Sequence, residues 1–152
     1  MAFGTFSKLG QSKKKMYGPA GLLVCGYQAA EQSELQNLLK ELDLAELPLI
    51  FITKDEEEQT LEELLALPDS HGSGRDSGLR RAIIMSGLTE GDLQRLMIAY
   101  RQSELPPQMW ATLTPISEKW QLKNLLTELE AENLALKKRR QQQASQNIGK
   151  TQ

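Results

Sequence analysis

Two short apolar runs, each closed by a glycine, stand out along the chain: Leu22-Leu23-Val24-Cys25-Gly26 and Ile83-Ile84-Met85-Ser86-Gly87. Each is too short for a helix and is cut by a turn-forming residue, so both read as buried strands. Downstream of the first, Leu35, Leu38, Leu39 and Leu42 recur at helical spacing, and downstream of the second Leu93, Leu96, Met97 and Tyr100 do the same. Each set gives a helix one apolar stripe. Thr89 with Asp92 three residues on resembles a helix-starting box. Extended runs follow at Pro48 to Thr53 and Met109 to Thr114, and then helices carrying Leu61, Leu64, Leu65 and Leu122, Leu125, Leu126.

Each half therefore reads strand, helix, strand, helix. Sliding the sequence on itself by 61 residues, without a gap, places Gly26 on Gly87, Leu35 on Leu96, Leu44 on Leu105, Thr53 on Thr114 and one leucine trio on the other. Glycines and threonines held at one offset at the ends of apolar runs point to a tandem duplication. Alternating strands and helices favour parallel strands joined by helical crossovers, and near-continuous apolar strands imply burial on both faces. The expected fold is α/β: two tandem strand-helix-strand-helix units packed as one small domain with a mainly parallel four-stranded sheet. One unit alone, at roughly 50 ordered residues, would bury too little surface to be more than marginal.

The boundaries come from composition. Residues 1–19 form a basic tail expected to be disordered, 20–67 the first copy, 68–78 (from Pro68 to Gly78) a flexible linker, 79–140 the second copy with an extended last helix, and 141–152 a polar disordered tail. The chain's 152 residues, 39% hydrophobic and 25% charged, suit one modest domain rather than a multidomain enzyme. Net charge is −2, but residues 1–19 carry four lysines and no acid, 20–66 have a balance of −9, and 67–152 a balance of +3. Basic ends can contact phosphates, although a solvated tail explains them with less; nucleic-acid contact is kept as a weaker alternative. The longest apolar stretch, Leu47 to Ile52, is far short of the roughly 18 residues of a membrane span. With no apolar stretch after Lys13, Lys14 and Lys15 to suggest a secretory signal, the expected place is the cytoplasm and no membrane contact is expected.

Cys25 and Ser86 occupy equivalent positions at the carboxyl ends of strands, where open α/β sheets place ligand crevices. Together with Gly26, Gly87, Thr53 and Thr114 they form the candidate ligand-binding set for a small molecule or anion. A nucleophile there would need a base and an orienting group, and the single histidine, His71, lies in the linker. No catalytic residue is assigned. Glycine-rich phosphate motifs are absent, and Glu31, Glu90 and Asp92 at the helix starts would repel a phosphate. The acidic run Asp55 to Glu58 with Glu62 and Glu63 lacks the ligand spacing of a calcium loop and reads as a solvated helix start, so no metal and no cofactor is expected.

The last helix has more to offer. Leu122, Leu129 and Leu136 recur every seven residues, with Leu126 and Asn133 between them, a short heptad seam with one polar residue of the kind that fixes register. It runs into Lys137, Lys138, Arg139 and Arg140 and outruns its counterpart in the first half. Leu129, Asn133, Leu136, Lys137 and Arg140 are the candidate interaction surface, for a protein partner or a homodimer.

Ser86-Gly87-Leu88 at a strand end, Thr114-Pro115, Trp120, and Leu122, Leu125, Leu126 and Leu129 among Glu128, Glu130 and Glu132 resemble a small bacterial family, domain of unknown function 3783, over about residues 80–133. The first half resembles a degenerate copy, with Lys54 in place of Pro115 and Gln59 in place of Trp120. The resemblance implies a fold and no catalytic residues. The expected function is a non-enzymatic interaction or regulatory module.

Overall fold

The computed structural model describes residues 14–150, with side chains to residue 144. Strand β1 (Gly21–Cys25) leads to helix α1 (Ala29–Glu41), strand β2 (Leu49–Ile52) and the one-and-a-half-turn helix α2 (Leu61–Leu65). Strand β3 (Ala82–Ser86), helix α3 (Glu90–Gln102), strand β4 (Met109–Thr112) and helix α4 (Leu122–Lys150) repeat that order. Thr89 caps α3, its side chain accepting from the Asp92 N–H at 3.1 Å.

Alternation along the strands sorts the core into two layers. Leu22, Val24, Phe51, Ile83 and Met85 face α1 and α3, meeting Leu35, Leu39 and Leu96. Leu23, Cys25, Ile50, Ile52 and Ile84 face α2 and α4, meeting Leu61, Leu64, Leu122 and Leu126. The result is a three-layer sandwich in which both faces of the sheet are covered.

The strand order is β2-β1-β3-β4, and the sheet is mixed rather than mainly parallel. β1 and β2 are parallel, β3 and β4 are parallel, and the central pair β1 and β3 is antiparallel. The crossover rule holds within each half, where a helix returns the chain. Between the halves the connection has no helix. It runs up the outer edge of β2, crosses the strand ends and delivers Ala82 opposite Cys25, so β3 starts where β1 stops.

The halves are laid out alike about that central pair. Leu22 pairs with Leu49 and Ala82 with Met109, the same separation of 27 residues. Leu23 faces Ile84, its counterpart at the 61-residue offset, flanked by Leu22 with Met85 and Val24 with Ile83. A second contact repeats the relation: Leu61 N–H donates to Trp120 O at 3.0 Å and Leu122 N–H to Gln59 O at 2.9 Å.

Three segments differ from the compositional expectation. The connection 68–78, expected to be flexible, has no regular structure but is hydrogen-bonded along its length to β2 and α1. Residues 14–19 of the basic tail cross the ends of β3, where Met16 N–H donates to Leu88 O at 2.8 Å and Gly87 N–H to Tyr17 O at 3.1 Å. Residues 1–13 of that tail lie outside the described residues, as do 151 and 152 of the other tail. Helix α4 continues through residues 141–150, assigned to a disordered tail. Once a helix is nucleated, a run such as Gln141-Gln142-Gln143-Ala144 extends it readily, because glutamine and alanine are good helix formers.

Candidate functional site

The six strand-end residues do not form one site. Because β1 and β3 are antiparallel, Cys25 lies opposite Ala82 and Ser86 opposite Gly21, four residue steps apart, or about 13 Å. Cys25, Gly26 and Thr53 gather at one end of the sheet, where Cys25 pairs with Ile52; Ser86, Gly87 and Thr114 gather at the other.

Both ends are closed by the chain segment that precedes the next strand. At the first end Ser77 is the stopper. Its Oγ donates to Ile52 O at 2.6 Å and accepts from Gly26 N–H at 2.9 Å, while its backbone N–H donates to Tyr27 O and its carbonyl accepts from Lys54 N–H. At the other end Gly18 lies against Ser86, so closely that a Cβ on Gly18 would overlap Ser86 Oγ. Gly26 and Gly87 both have positive φ, +83° and +68°, and a Cβ on either would overlap main chain: that of Arg80 and Arg81 at Gly26, and that of Gly18 to Ala20 at Gly87. The glycines permit the chain to cross; they do not open a phosphate loop.

Cys25 is fully buried, and burial pushes its thiol up to about 12, which leaves it protonated and unreactive. Ser86 is buried with its Oγ unpartnered. The two threonines are turn residues. Thr53 N–H donates to Glu56 Oε1 at 3.1 Å, and Thr114 N–H to Ser117 Oγ at 3.0 Å, with Ser117 N–H returning to Thr114 Oγ1. Cys25, Ser86 and Thr53 are thus buried, and Thr114 is exposed with its hydroxyl bonded to Ser117 Oγ.

The acidic run has its own structural employment. Glu56 lies 2.5 Å from His71 Nε2; burial works to raise its carboxyl, but the Thr53 N–H and His71 outweigh this and hold it below the usual carboxylate range. Glu63 closes a capping box on Thr60, while Glu58 pairs with Lys123 and Glu62 with Lys119. Glu58 and Lys119, and likewise Glu62 and Lys123, are counterparts at the 61-residue offset. The two ion pairs therefore cross between the halves.

Sequence spacing missed one cluster. Arg81 lies 4.3 Å over the Tyr27 ring and 2.5 Å from Glu31, Tyr27 OH donates to Gln108 Oε1 at 2.9 Å, and Arg81 Nη1 and Gln108 Nε2 are buried without partners. Glu31 is held below the usual carboxylate range, burial being outweighed by the Gln28 N–H and Arg81. A pocket of about 180 Å³ beside Gln108 is lined by Tyr100, whose ring meets Trp110 edge-on, and by Met97, Leu105 and Pro107. These residues come from three elements and the loops between them, so no motif announces them.

The proposed interaction surface lies on α4. Leu122, Leu125 and Leu126 are buried in the sheet layer and Leu129 is partly packed there, but Asn133, Leu136, Lys137 and Arg140 are exposed, Leu136 at 46% and its neighbour Leu134 at 54%. Its counterpart α2 has five residues against the 29 of α4.

No helix of the described residues is long and apolar enough to cross a membrane. No curated protein and no solved structure matches the chain. The family model that does match spans residues 81–136, from the start of β3 to the middle of α4. That model is DUF3783, described as a domain of unknown function.

Proposed function

We propose that this protein is a non-enzymatic interaction or regulatory module, a duplicated unit that presents the projecting part of α4 to a second copy or another protein. The observation that carries the reading is the overhang of α4. Beyond Leu129 it extends for 21 residues, about 30 Å, with Leu134 and Leu136 uncovered beside a basic run. A lone helix of that length is marginal in water without something packed against it. The duplication is supported by the shared register of 27 residues, by the exchange-related pairing about Leu23 and Ile84, and by the reciprocal bonds between residues 59–61 and 120–122.

A small-molecule or anion site at the strand ends draws less support, since Ser77 and Gly18 occupy the space a ligand would need. Nucleic-acid contact through the basic ends requires affinity that falls steeply with salt. Sedimentation of the full chain beside a chain ending at Leu129 tests the main reading. The shorter chain retains Leu122, Leu125 and Leu126 in the core and is expected to lose association. An assembly mass unchanged after removal of the overhang overturns the reading.

A further inference from the structure

Helix α4 leaves the molecule at a definite end. Because β4 is parallel to β3, it finishes at the Ser86 end of the sheet, and α4 returns from there toward the end marked by Cys25 and Ala82. Arg80, two residues before β3, fixes its place there: Arg80 Nη2 donates to Thr127 Oγ1 at 3.4 Å, and Arg80 Nη1 lies 3.6 Å from Glu130 Oε1. The part of α4 after Glu130 therefore projects past that end. On it Asn133, Leu136, Lys137 and Arg140, spaced by three and four residues, share one exposed face.

The layer on the other face of the sheet holds a groove near the same end, where α1 starts and α3 finishes. It lies between these two helices and measures about 420 Å³. Leu38, Ala99 and Leu105 are the buried and half-buried part of its lining, and Glu34 and Glu41 are exposed on its α1 wall. Seven residues apart, the two acids stand on one face of α1, about 10 Å from each other along the helix. Among the described residues the lining includes no basic side chain. Lys40 and Arg101 line hollows elsewhere, beside Leu47 and beside Trp110, and Arg95 is held by Asp92 and by Leu42 O.

Projection and groove match in kind: a leucine with two bases on one, an apolar floor with two acids on the other. Within one chain they do not meet, since they belong to opposite faces of the sheet and α4 points away. Between two copies they do. A twofold axis in the plane of the sheet and perpendicular to α4 reverses both the direction of α4 and the face each layer occupies. Each projecting helix then runs in line with the partner's α1 and α3 layer, and the contact is made twice, which closes the assembly. A parallel pairing of two α4 helices would also cover Leu136, but it would bring the basic runs 137–140 together.

We propose that the groove between α1 and α3 of a second copy is the docking site for the projecting part of α4. Leu136 enters against Leu38, Ala99 and Leu105, and Lys137 and Arg140 face Glu34 and Glu41. The inference rests on the α4 reading and names its partner, a second copy of this chain with the two helices exchanged reciprocally. Apolar contact supplies the hold, while the charges at the rim set orientation and make the association weaken with salt.

Sedimentation of the full chain and two charge-reversed variants tests it. Glu34→Lys with Glu41→Lys, and separately Lys137→Glu with Arg140→Glu, are each expected to raise the dimer dissociation constant by roughly tenfold or more. All four side chains are exposed, so the thermal melts are expected to stay as in the parent. An equimolar mixture of the two variants is expected to regain the dimer, because one of its two contacts is native and the other has both signs reversed. A mixture that stays monomeric overturns the proposal, as does a full chain that is monomeric by itself. A dimer that survives the groove reversal but is lost when the chain ends at Leu129 overturns the groove and leaves the α4 reading standing. A dimer that survives that truncation overturns both.

Discussion

A methyl group at Gly26 would have to share space with the backbone of Arg81, whereas one at Gly21 meets its nearest atom at 3.5 Å. With a left-handed φ added to the collision, Gly26→Ala is expected to cost about 2–4 kcal/mol in urea unfolding, and Gly21→Ala under about 1. The two strand-end hydroxyls should separate in the same experiment. Ser77→Ala strands Gly26 N–H and Ile52 O and is expected to cost about 1–3 kcal/mol, while Ser86→Ala removes an unpartnered buried hydroxyl and should be neutral or slightly stabilising. Stability should also depend on acid through Glu31 and Glu56, both held below the ordinary glutamate range. A carboxyl depressed in the folded state adds stability that is complete above its unfolded pKa, about 4.3, and is lost as pH falls through the folded value. Thermal melts between pH 6 and pH 3 should therefore show a falling midpoint, with a shallower fall in Glu56→Gln. Cys25 should resist a thiol reagent until the protein is unfolded.

At the scale of elements, the strands and helices were legible because apolar spacing reports them directly: Leu22 to Cys25 and Ile83 to Ser86 lie in strands, and Leu35, Leu39 and Leu96 line buried helix faces. The direction of β3 was not legible. It is decided by the connection 66–81, whose path is set by single side-chain bonds from Asp69, Asp76, Ser77 and Gln32, and such residues read as loop whether the loop is free or tied. The error then passed to the site, since a parallel sheet would have brought Cys25 and Ser86 to the same end. The Arg81, Tyr27, Glu31 and Gln108 cluster stayed hidden because its members meet only after β1 and β3 pair. Ending the chain after Leu125 removes Leu126 from the core and is expected to abolish the cooperative melt, whereas ending it after Leu129 should leave it.

Across the whole molecule, the two halves meet through a central strand pair and through opposite charges at positions 61 residues apart: Glu58 and Glu62 in one half, Lys119 and Lys123 in the other. Lys119→Glu with Lys123→Glu sets four carboxylates against one another and should lower the denaturant midpoint. Adding Glu58→Lys and Glu62→Lys should restore it, and salt should shrink both effects, since the pairs are solvent-exposed. With its strand ends filled by its own backbone, the molecule has α4 as its outward-reaching element. Native mass spectrometry of the full chain purified from its own host tests that account most directly. A dimer or a complex with another protein, reverting to the bare monomer mass when residues 130–152 are removed, is the predicted result. A monomer carrying a stoichiometric small molecule, retained after that removal, would contradict it.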